Sequence, residues 1–245
     1  MRAFAQRLLA TVGYQLTRHI PRDFSADDAA LVRRVQPYTL TSPERIYSCV
    51  RAVEYLGANA IPGDFVECGV WKGGMVMALA LTLLRLGDQN RQLYLFDTFE
   101  GMSPPTDADV DLRGVGAAAQ LAESTSGRRG RIWARAPLEE VQSAVLGTGI
   151  DPSRVHFVKG KVEDSLPAQA PDQISLLRLD TDWYESTRHE LVHLYPRLVS
   201  GGVIIIDDYG HWQGARRATD EYLASHGIPL LLNRIDYTGR IGVKR

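Results

Sequence analysis

The sequence is poor in cysteine, in long apolar runs and in excess charge of either sign. Its two cysteines, Cys49 and Cys68, exclude a disulfide framework and a four-cysteine zinc site. The longest apolar run, residues 76–84, is about half of the ~18 residues that a membrane span needs. With 28 basic and 29 acidic residues the formal net charge is −1, so no global field favours nucleic acid or an acidic membrane. We expect a reduced, cytoplasmic setting.

The length of 245 residues fits one large domain or a domain with an added cap. Residues 1–60 are predicted to form an N-terminal helical extension, and residues 61–245 the main domain. The first 20 residues are basic and partly apolar, but Arg7 interrupts any signal-peptide core. A helix packed on the domain or on a second subunit is expected there, so we predict a homodimer or larger oligomer. Peripheral membrane contact through that helix is the alternative.

Within the main domain, short apolar segments alternate with helical patterns. This alternation predicts an α/β fold with a mostly parallel sheet covered on both faces. Residues 100–136 break the pattern with prolines, glycines and an arginine-rich run, and we interpret them as a mobile lid insertion. The predicted strands cover residues 64–68, 92–96, 155–158, 174–179, 203–206, 229–232 and 240–244, and the predicted helices of this domain cover residues 74–86, 186–198 and 212–226.

A glycine turn separates the first predicted strand from the first helix of the main domain. The pattern is Glu67-x-Gly69-x-x-x-Gly73-Gly74, in which glycine allows close backbone approach to a ligand and the helix start offers free N–H groups. It differs from the dinucleotide pattern G-x-G-x-x-G, because Trp71 stands where the second glycine would be. A turn without a pyrophosphate site fits S-adenosylmethionine better than NAD. Asp97, which ends the second strand, is placed to bind ribose hydroxyls.

Acidic residues also follow the fourth and fifth predicted strands. Asp180 ends the fourth, and Asp207 and Asp208 end the fifth. Three carboxylates that converge at one sheet edge repel one another, so either their pKa values rise or a cation neutralises them. Oxygen ligands suit Mg²⁺ or Ca²⁺ better than Zn²⁺, and we predict a metal site at Asp180, Asp207 and Asp208. The alternative is that the aspartate pair caps the turn before the next helix.

Four sequence segments carry a resemblance to a known family. They are SPERIYSCVRAVEY, FVECGVWKGG, LYLFDTFEGM and RLDTDWYESTRHELVHLYPRLVSGGVIIIDDYG. The chain resembles the macrocin O-methyltransferase (TylF-like) family of S-adenosylmethionine-dependent sugar O-methyltransferases from about residue 42 to residue 244. The resemblance implies a class I methyltransferase (Rossmann-like) fold of seven strands, the last antiparallel. It also implies Mg²⁺ at the three aspartates and a cofactor site that comprises Glu67, Gly69, Val70, Trp71, Gly73, Asp97, Glu163 and Asp180.

The identity of the general base is open in the sequence. Catechol-type methyltransferases have a lysine three residues after the acid of the fourth strand, but here that residue is Trp183. Asp180 is a candidate to take the proton while bound to the metal. His211, just after the aspartate pair, is the second predicted catalytic residue, and Asp182 and Glu185 are further candidates.

These features together predict Mg²⁺-dependent methyl transfer from S-adenosylmethionine to a sugar hydroxyl. The acceptor is expected to be a glycosylated natural product or a bacterial glycan. Two alternatives stay open: a methyltransferase of a catechol or other phenolic acceptor, and a non-catalytic protein that binds S-adenosylmethionine. The lysine that is missing at Trp183 weighs against the first, and the intact aspartate set weighs against the second.

Overall fold

A computed structural model describes residues 20–125 and 135–245, without the side chains of residues 123–125. The basic N-terminal helix predicted over residues 1–20 falls almost wholly outside this part of the chain. The arginine-rich run at residues 126–131 is also outside it. In the described ranges no helix combines the length and the apolar character that a membrane crossing requires.

Seven strands form one sheet in the order β3-β2-β1-β4-β5-β7-β6. The first five strands pair in parallel, and β7 runs antiparallel to both of its neighbours. The sheet therefore has the seven strands, mostly parallel and with the last antiparallel, that the family resemblance implies. The strands are β1 (Asp64–Cys68), β2 (Leu93–Asp97), β3 (Val155–Lys159), β4 (Ile174–Leu179), β5 (Leu198–Ile206), β6 (Asn233–Arg234) and β7 (Arg240–Val243).

Helices cover both faces of this sheet. The central strands are apolar and buried on both sides, which is typical of parallel sheets. In the described ranges the helices are α1 (Ala26–Val35), α2 (Pro43–Ala58), α3 (Gly74–Leu86), α4 (Ala117–Thr125), α5 (Leu138–Leu146), α6 (Val162–Ser165), α7 (Tyr184–Leu194) and α8 (Gln213–Ser225).

Two hydrophobic clusters lie on opposite faces of the sheet. Alternate residues of β1 show the division, because Phe65 belongs to one cluster and Val66 to the other. Residues of α1 and α2 pack into the same cluster as α3, so the described part of the N-terminal extension shares the core of the main domain. Both cysteines are buried, and burial raises the pKa of the Cys49 thiol to about 12 and that of Cys68 well above its usual value.

Two predicted elements differ from the structure near the C-terminus. Residues 200–202, expected to be a turn that ends a helix, lie inside β5, because that helix ends at Leu194 and the strand begins at Leu198. The strand predicted over residues 229–232 is wrong. This part of the chain pairs with β7 at Asn233 and Arg234, so backbone pairing selects these two polar residues over the apolar run before them.

The start of α2 provides a test of local stability. Ser42 caps the helix by accepting a hydrogen bond from the backbone N–H of Arg45, and its hydroxyl donates to Asp236 at 2.7 Å. Because Ser42→Ala removes a cap and a tertiary hydrogen bond, we expect a loss of about 1–2 kcal/mol in the free energy of unfolding. Ser25→Ala, which removes the cap of α1, is the matched control. Urea denaturation gives both values, and a smaller loss for Ser42→Ala would contradict a role for the Asp236 contact.

Candidate active site

A cavity of about 250 Å³ opens at the carboxyl ends of β1, β2, β4 and β5. Parallel strands bring residues that are distant in sequence to one edge, which is where ligands bind in open α/β sheets. Most of the predicted site residues line this cavity: Glu67, Gly69, Val70, Trp71, Asp97, Glu163, Asp180, Asp207 and Asp208. Gly73 and His211 are absent from its lining.

The glycine turn after β1 is shaped by Asp97 at the end of β2. One carboxylate oxygen of Asp97 accepts hydrogen bonds from the backbone N–H groups of Val70 (2.7 Å) and Trp71 (3.0 Å). The other oxygen accepts from the N–H of Phe99 at 2.7 Å. An ionised carboxylate has about four lone-pair sites, so Asp97 has capacity left for a hydroxyl in the cavity.

Close backbone packing explains the glycine at position 69. Gly69 has a φ of +81°, and a Cβ there would overlap with the backbone carbonyl of Asp180. Its N–H donates to the carbonyl of Phe96 at 2.8 Å. Gly73, at a φ of +84°, instead occupies the cap position of α3, and a Cβ on it would meet Val145. Gly69 therefore shapes the cavity wall directly, whereas Gly73 shapes the helix start behind it.

Glu67 and Arg178 form a buried ion pair on the cavity floor. These residues are register partners in β1 and β4, and Arg178 Nη1 donates to Glu67 Oε1 at 2.8 Å. Glu67 is 2% exposed, and burial raises the pKa of its carboxyl to about 7 against the opposing effect of Arg178. Its other oxygen, Oε2, is buried without a hydrogen-bond partner within the described ranges. That oxygen is free to accept a donor from a ligand.

Arg178 also holds two of the predicted metal ligands. Its Nη2 lies 2.8 Å from Asp180 Oδ2 and 2.7 Å from Asp207 Oδ1. On the far side of Asp207, Arg45 Nη1 bonds to Oδ2, while Arg45 Nε donates to Asp236 at 3.0 Å. The sequence analysis did not identify Arg178. A signal was present, because a lone charged residue in a mostly apolar strand, two residues before Asp180, requires a buried partner.

The structure brings the three predicted metal ligands together. One oxygen from each of Asp180, Asp207 and Asp208 lies within 4.8 Å of the others. The guanidinium contacts use one lone pair on each Asp207 oxygen and leave the second available. Burial and mutual repulsion raise the pKa values of Asp180 and Asp208 well above the usual range. A divalent cation fits this set, because it binds carboxylate oxygens and relieves the repulsion between them.

The charge balance of the cavity supports the same fit. Glu67 and four aspartates line one part of it, whereas two guanidinium groups, of Arg45 and Arg178, contact them. Five carboxylates therefore share two guanidinium groups, and of the five Asp182 and Asp208 have no ion pair with either arginine. Because uncompensated charge is costly in a buried site, a cationic ligand or metal would stabilise the ionised form of these carboxylates.

Asp182 is the fourth aspartate, and the sequence analysis gave it only as a further candidate for the base. It has a φ of +66°, and its N–H donates to Asp208 Oδ2 at 3.1 Å. Its carboxyl group interacts with the side chains of Asp208 and Trp212, and burial together with Asp180 raises its pKa to about 7. An aspartate with a pKa near neutrality is suited to accept a proton.

His211, a predicted catalytic residue, lies outside this cavity. Its backbone N–H donates to the carbonyl of Asp208, but its ring packs edge-on against Trp212 and Tyr237. There it lines a separate surface groove between α8 and residues 107–112. The turn after Asp208 thus directs the imidazole away from the aspartates, although the two are close in sequence.

Sequence comparisons relate this chain to known O-methyltransferases. The profile of the macrocin-O-methyltransferase (TylF) family matches residues 15–242. The chain is 34% identical over 202 residues to 8-demethyl-8-(2,3-dimethoxy-alpha-L-rhamnosyl)-tetracenomycin-C 4'-O-methyltransferase from Streptomyces olivaceus, which covers 82% of this chain and 74% of that protein. Demethyldecarbamoylnovobiocin O-methyltransferase from Streptomyces niveus is also 34% identical, over 203 residues, with the same coverage.

Solved structures agree with the sequence relatives. The O-methyltransferase NovP superposes with a TM-score of 0.71 at 28% identity, over 100% of this chain and 99% of that one. The calicheamicin methyltransferase CalS11 has a TM-score of 0.64 at 21% identity, over 94% of this chain and 97% of that one, and shares the fold. The chain therefore belongs to the macrocin-O-methyltransferase (TylF) family and is an S-adenosylmethionine-dependent O-methyltransferase.

Proposed function

We propose that this enzyme methylates a hydroxyl group on a sugar of a natural product or glycan, with Mg²⁺ held by Asp180, Asp207 and Asp208. The observation that carries the metal is the cluster of three carboxylates within 4.8 Å, in a cavity with more carboxylates than guanidinium groups. The sugar acceptor is supported by a relative whose name specifies a rhamnosyl substrate.

The methyl donor, S-adenosylmethionine, would bind along the turn after β1. The unpartnered Glu67 Oε2 is a suitable acceptor for the ammonium group of the donor. The remaining lone pair of Asp97 suits a ribose hydroxyl, and Glu163, at the start of α6, lines the same cavity beyond it. Each of these residues contributes an anionic oxygen toward a donor that carries both ammonium and hydroxyl groups.

The reaction needs an activated acceptor and a place for its proton. A bound Mg²⁺ would lower the pKa of the acceptor hydroxyl and help to fix its position. We assign the base to Asp182, because its carboxyl lies in the cavity beside Asp208 and has a pKa near 7. Asp180 keeps its predicted role as a ligand that also faces the donor, and the indole N–H of Trp212 holds Asp182 in place.

The structure supplies a reason to prefer a sugar over a catechol. Trp183 stands where catechol-type enzymes have lysine, and it is 3% exposed. Its indole N–H donates to the carbonyl of Ser103 at 2.9 Å, so this position offers no base. A panel of glycosylated and phenolic acceptors, assayed with labelled S-adenosylmethionine, separates the two classes. Methylation of glycosides alone supports the proposal, and methylation of catechols alone contradicts it.

Thermal shift measurements test the donor and metal sites without an acceptor. S-adenosylhomocysteine, the product of the donor, should raise the melting temperature, because a ligand at 100 times its Kd adds about 2.7 kcal/mol. Mg²⁺ should add a further rise that EDTA removes. The Asp208→Asn variant should keep the first shift and lose the second. If Mg²⁺ and Mn²⁺ leave the wild-type midpoint unchanged, the metal site is wrong while the methyl-donor site stands.

A further inference from the structure

The first part of the predicted lid is attached to the rim of the cavity. We call residues 101–117 the lid base. Isolated β-bridges join Val110 to Gly116 within it and Asp111 to Trp212 at the start of α8. The Gln213 side chain donates to the carbonyl of Asp111 at 2.9 Å. These contacts attach residues 101–117 of the predicted lid insertion to the start of α8.

Asp109 is the central residue of this attachment. Its side chain is buried, at 1% exposure, although it carries a carboxylate. One oxygen accepts from the backbone N–H (2.7 Å) and the hydroxyl (2.9 Å) of Thr106. The other oxygen accepts from the N–H of Tyr184 at 2.8 Å, at the first residue of α7. Anionic groups are stabilised at helix N-termini, where N–H groups are unpaired.

The first turn of α8 closes over the same carboxylate. A Cβ on Gly214 would lie 2.7 Å from Asp109 Oδ1 and 3.1 Å from the Tyr184 nitrogen. Only glycine therefore lets α8 approach the bond between Asp109 and Tyr184. Asp109 thus lies between the N-terminal ends of two helices and ties the lid base to both.

The hydrogen bond from Tyr184 to Asp109 fixes the last residue of the segment Thr181–Tyr184, which contains the proposed base. Each residue from Thr181 to Tyr184 is held by a different contact, and two of those contacts come from the lid base. Thr181 donates to Glu190 at 2.9 Å, Asp182 donates to Asp208, Trp183 donates to Ser103, and Tyr184 donates to Asp109. The lid base therefore fixes one end of the segment that carries the proposed base.

A small hydrophobic cluster completes the connection. Trp183 and Trp212 pack edge-to-face with ring centroids 5.0 Å apart. Together with Ala117, Leu121 and Ala215 they form a buried cluster against which Met102 packs. Because the Trp212 indole also bonds to the Asp182 side chain, displacement of the lid base would move a partner of Asp182.

We propose that Asp109 is a positioning residue: it fastens the lid base to α7 and α8 and thereby holds the Thr181–Tyr184 segment, with Asp182, in its working geometry. The consequence for turnover rests on the proposed role of Asp182, whereas the attachment itself does not. Asp109 is absent from the lining of the candidate active-site cavity. It acts through Tyr184 and Trp183.

Hydrogen exchange followed by NMR tests the attachment directly. In Asp109→Ala, the Tyr184 amide and the Trp183 indole proton should exchange at least about tenfold faster, because their protection depends on local opening of the lid base. Amides of β4 should keep their wild-type rates. The matched control is Asp151→Ala, since Asp151 accepts a backbone N–H at a short helical turn far from the lid. Asp109→Asn keeps one acceptor oxygen and serves if the alanine variant does not fold.

The second readout is catalytic and separates positioning from general stability. With a glycoside that the wild type methylates, Asp109→Ala or Asp109→Asn should lower kcat about tenfold and leave the Kd for S-adenosylhomocysteine within about twofold. Unchanged exchange at Tyr184 and Trp183 would overturn the proposal, as would a uniform rise that includes β4. If exchange responds locally but Asp182→Asn retains full turnover, the attachment stands and the assignment of the base fails.

Discussion

Replacement of Asp182 by asparagine is expected to lower kcat by about 10²–10⁴-fold, the range for loss of a general base. Asparagine keeps the size of the side chain and an oxygen that accepts the Trp212 indole N–H, but it cannot take a proton at neutral pH. The cavity wall and the donor site should therefore persist. We expect the affinity for S-adenosylhomocysteine to stay within about twofold of the wild type, because Glu67 and Asp97 are unaltered.

Two further variants make this result specific. Single-turnover measurements with a methylated glycoside would compare Asp182→Asn with Glu185→Gln, a neighbouring change in the first turn of α7 that should be silent. His211→Asn tests the other predicted catalytic residue. If His211→Asn removes turnover and Asp182→Asn does not, the imidazole reaches the acceptor in spite of its position in the outer groove, and the assignment to Asp182 is wrong.

Arg178→Met should lower the free energy of unfolding by about 3–5 kcal/mol, the typical cost of breaking a buried ion pair by removing one partner. Arg178 is 0% exposed and contacts Glu67, Asp180 and Asp207. Methionine fills much of the volume but leaves these carboxylates without their shared cation. The loss should grow with pH, because burial raises the pKa values of Glu67 and Asp180 and their ionisation without Arg178 costs more in the folded state than in the unfolded state.

Denaturant unfolding at pH 6 and pH 8 measures this effect. Arg216→Met provides the control, because Arg216 pairs with Asp220 at the surface of α8, with side chains that are 63% and 51% exposed. Such a pair contributes about 0–1 kcal/mol. Partial recovery of Arg178→Met by Mg²⁺ would support a cation site beside Asp207. A loss no larger than that of Arg216→Met would show that protonation already neutralises the cluster in the wild type.

Much of the fold could be predicted because nearby residues in the sequence mark where its strands and helices begin and end. β1, α3 and β4 have the predicted boundaries, since proline, glycine and aspartate mark their ends and apolar residues fill their interiors. The C-terminal strands were harder to place. Pairing with β7 decides the position of β6, and β5 extends back to Leu198 through two glycines. Partners that are distant in sequence set both boundaries, so no local pattern encodes them.

The same distinction between local signals and tertiary packing applies to the residues of the candidate site. Adjacent strands β4 and β5 bring Asp180 to Asp207 and Asp208, as parallel topology predicts. The sequence alone could not show that the turn after Asp208 places the His211 side chain outside the cavity. Nor could it show that Asp109 accepts a hydrogen bond from the first residue of α7. Both depend on the direction of a side chain at a turn, which follows from tertiary packing.

The burial of both cysteines has a practical consequence for labelling the enzyme at a chosen site. Thiolates are the reactive form of cysteine, and burial with a raised pKa disfavours it at Cys49 and Cys68. A maleimide-linked spin label or fluorophore would therefore attach selectively to a cysteine introduced on the surface, with no need to delete the native pair. Leu112→Cys, at a lid-base side chain that is 53% exposed, would place such a reporter on the lid base.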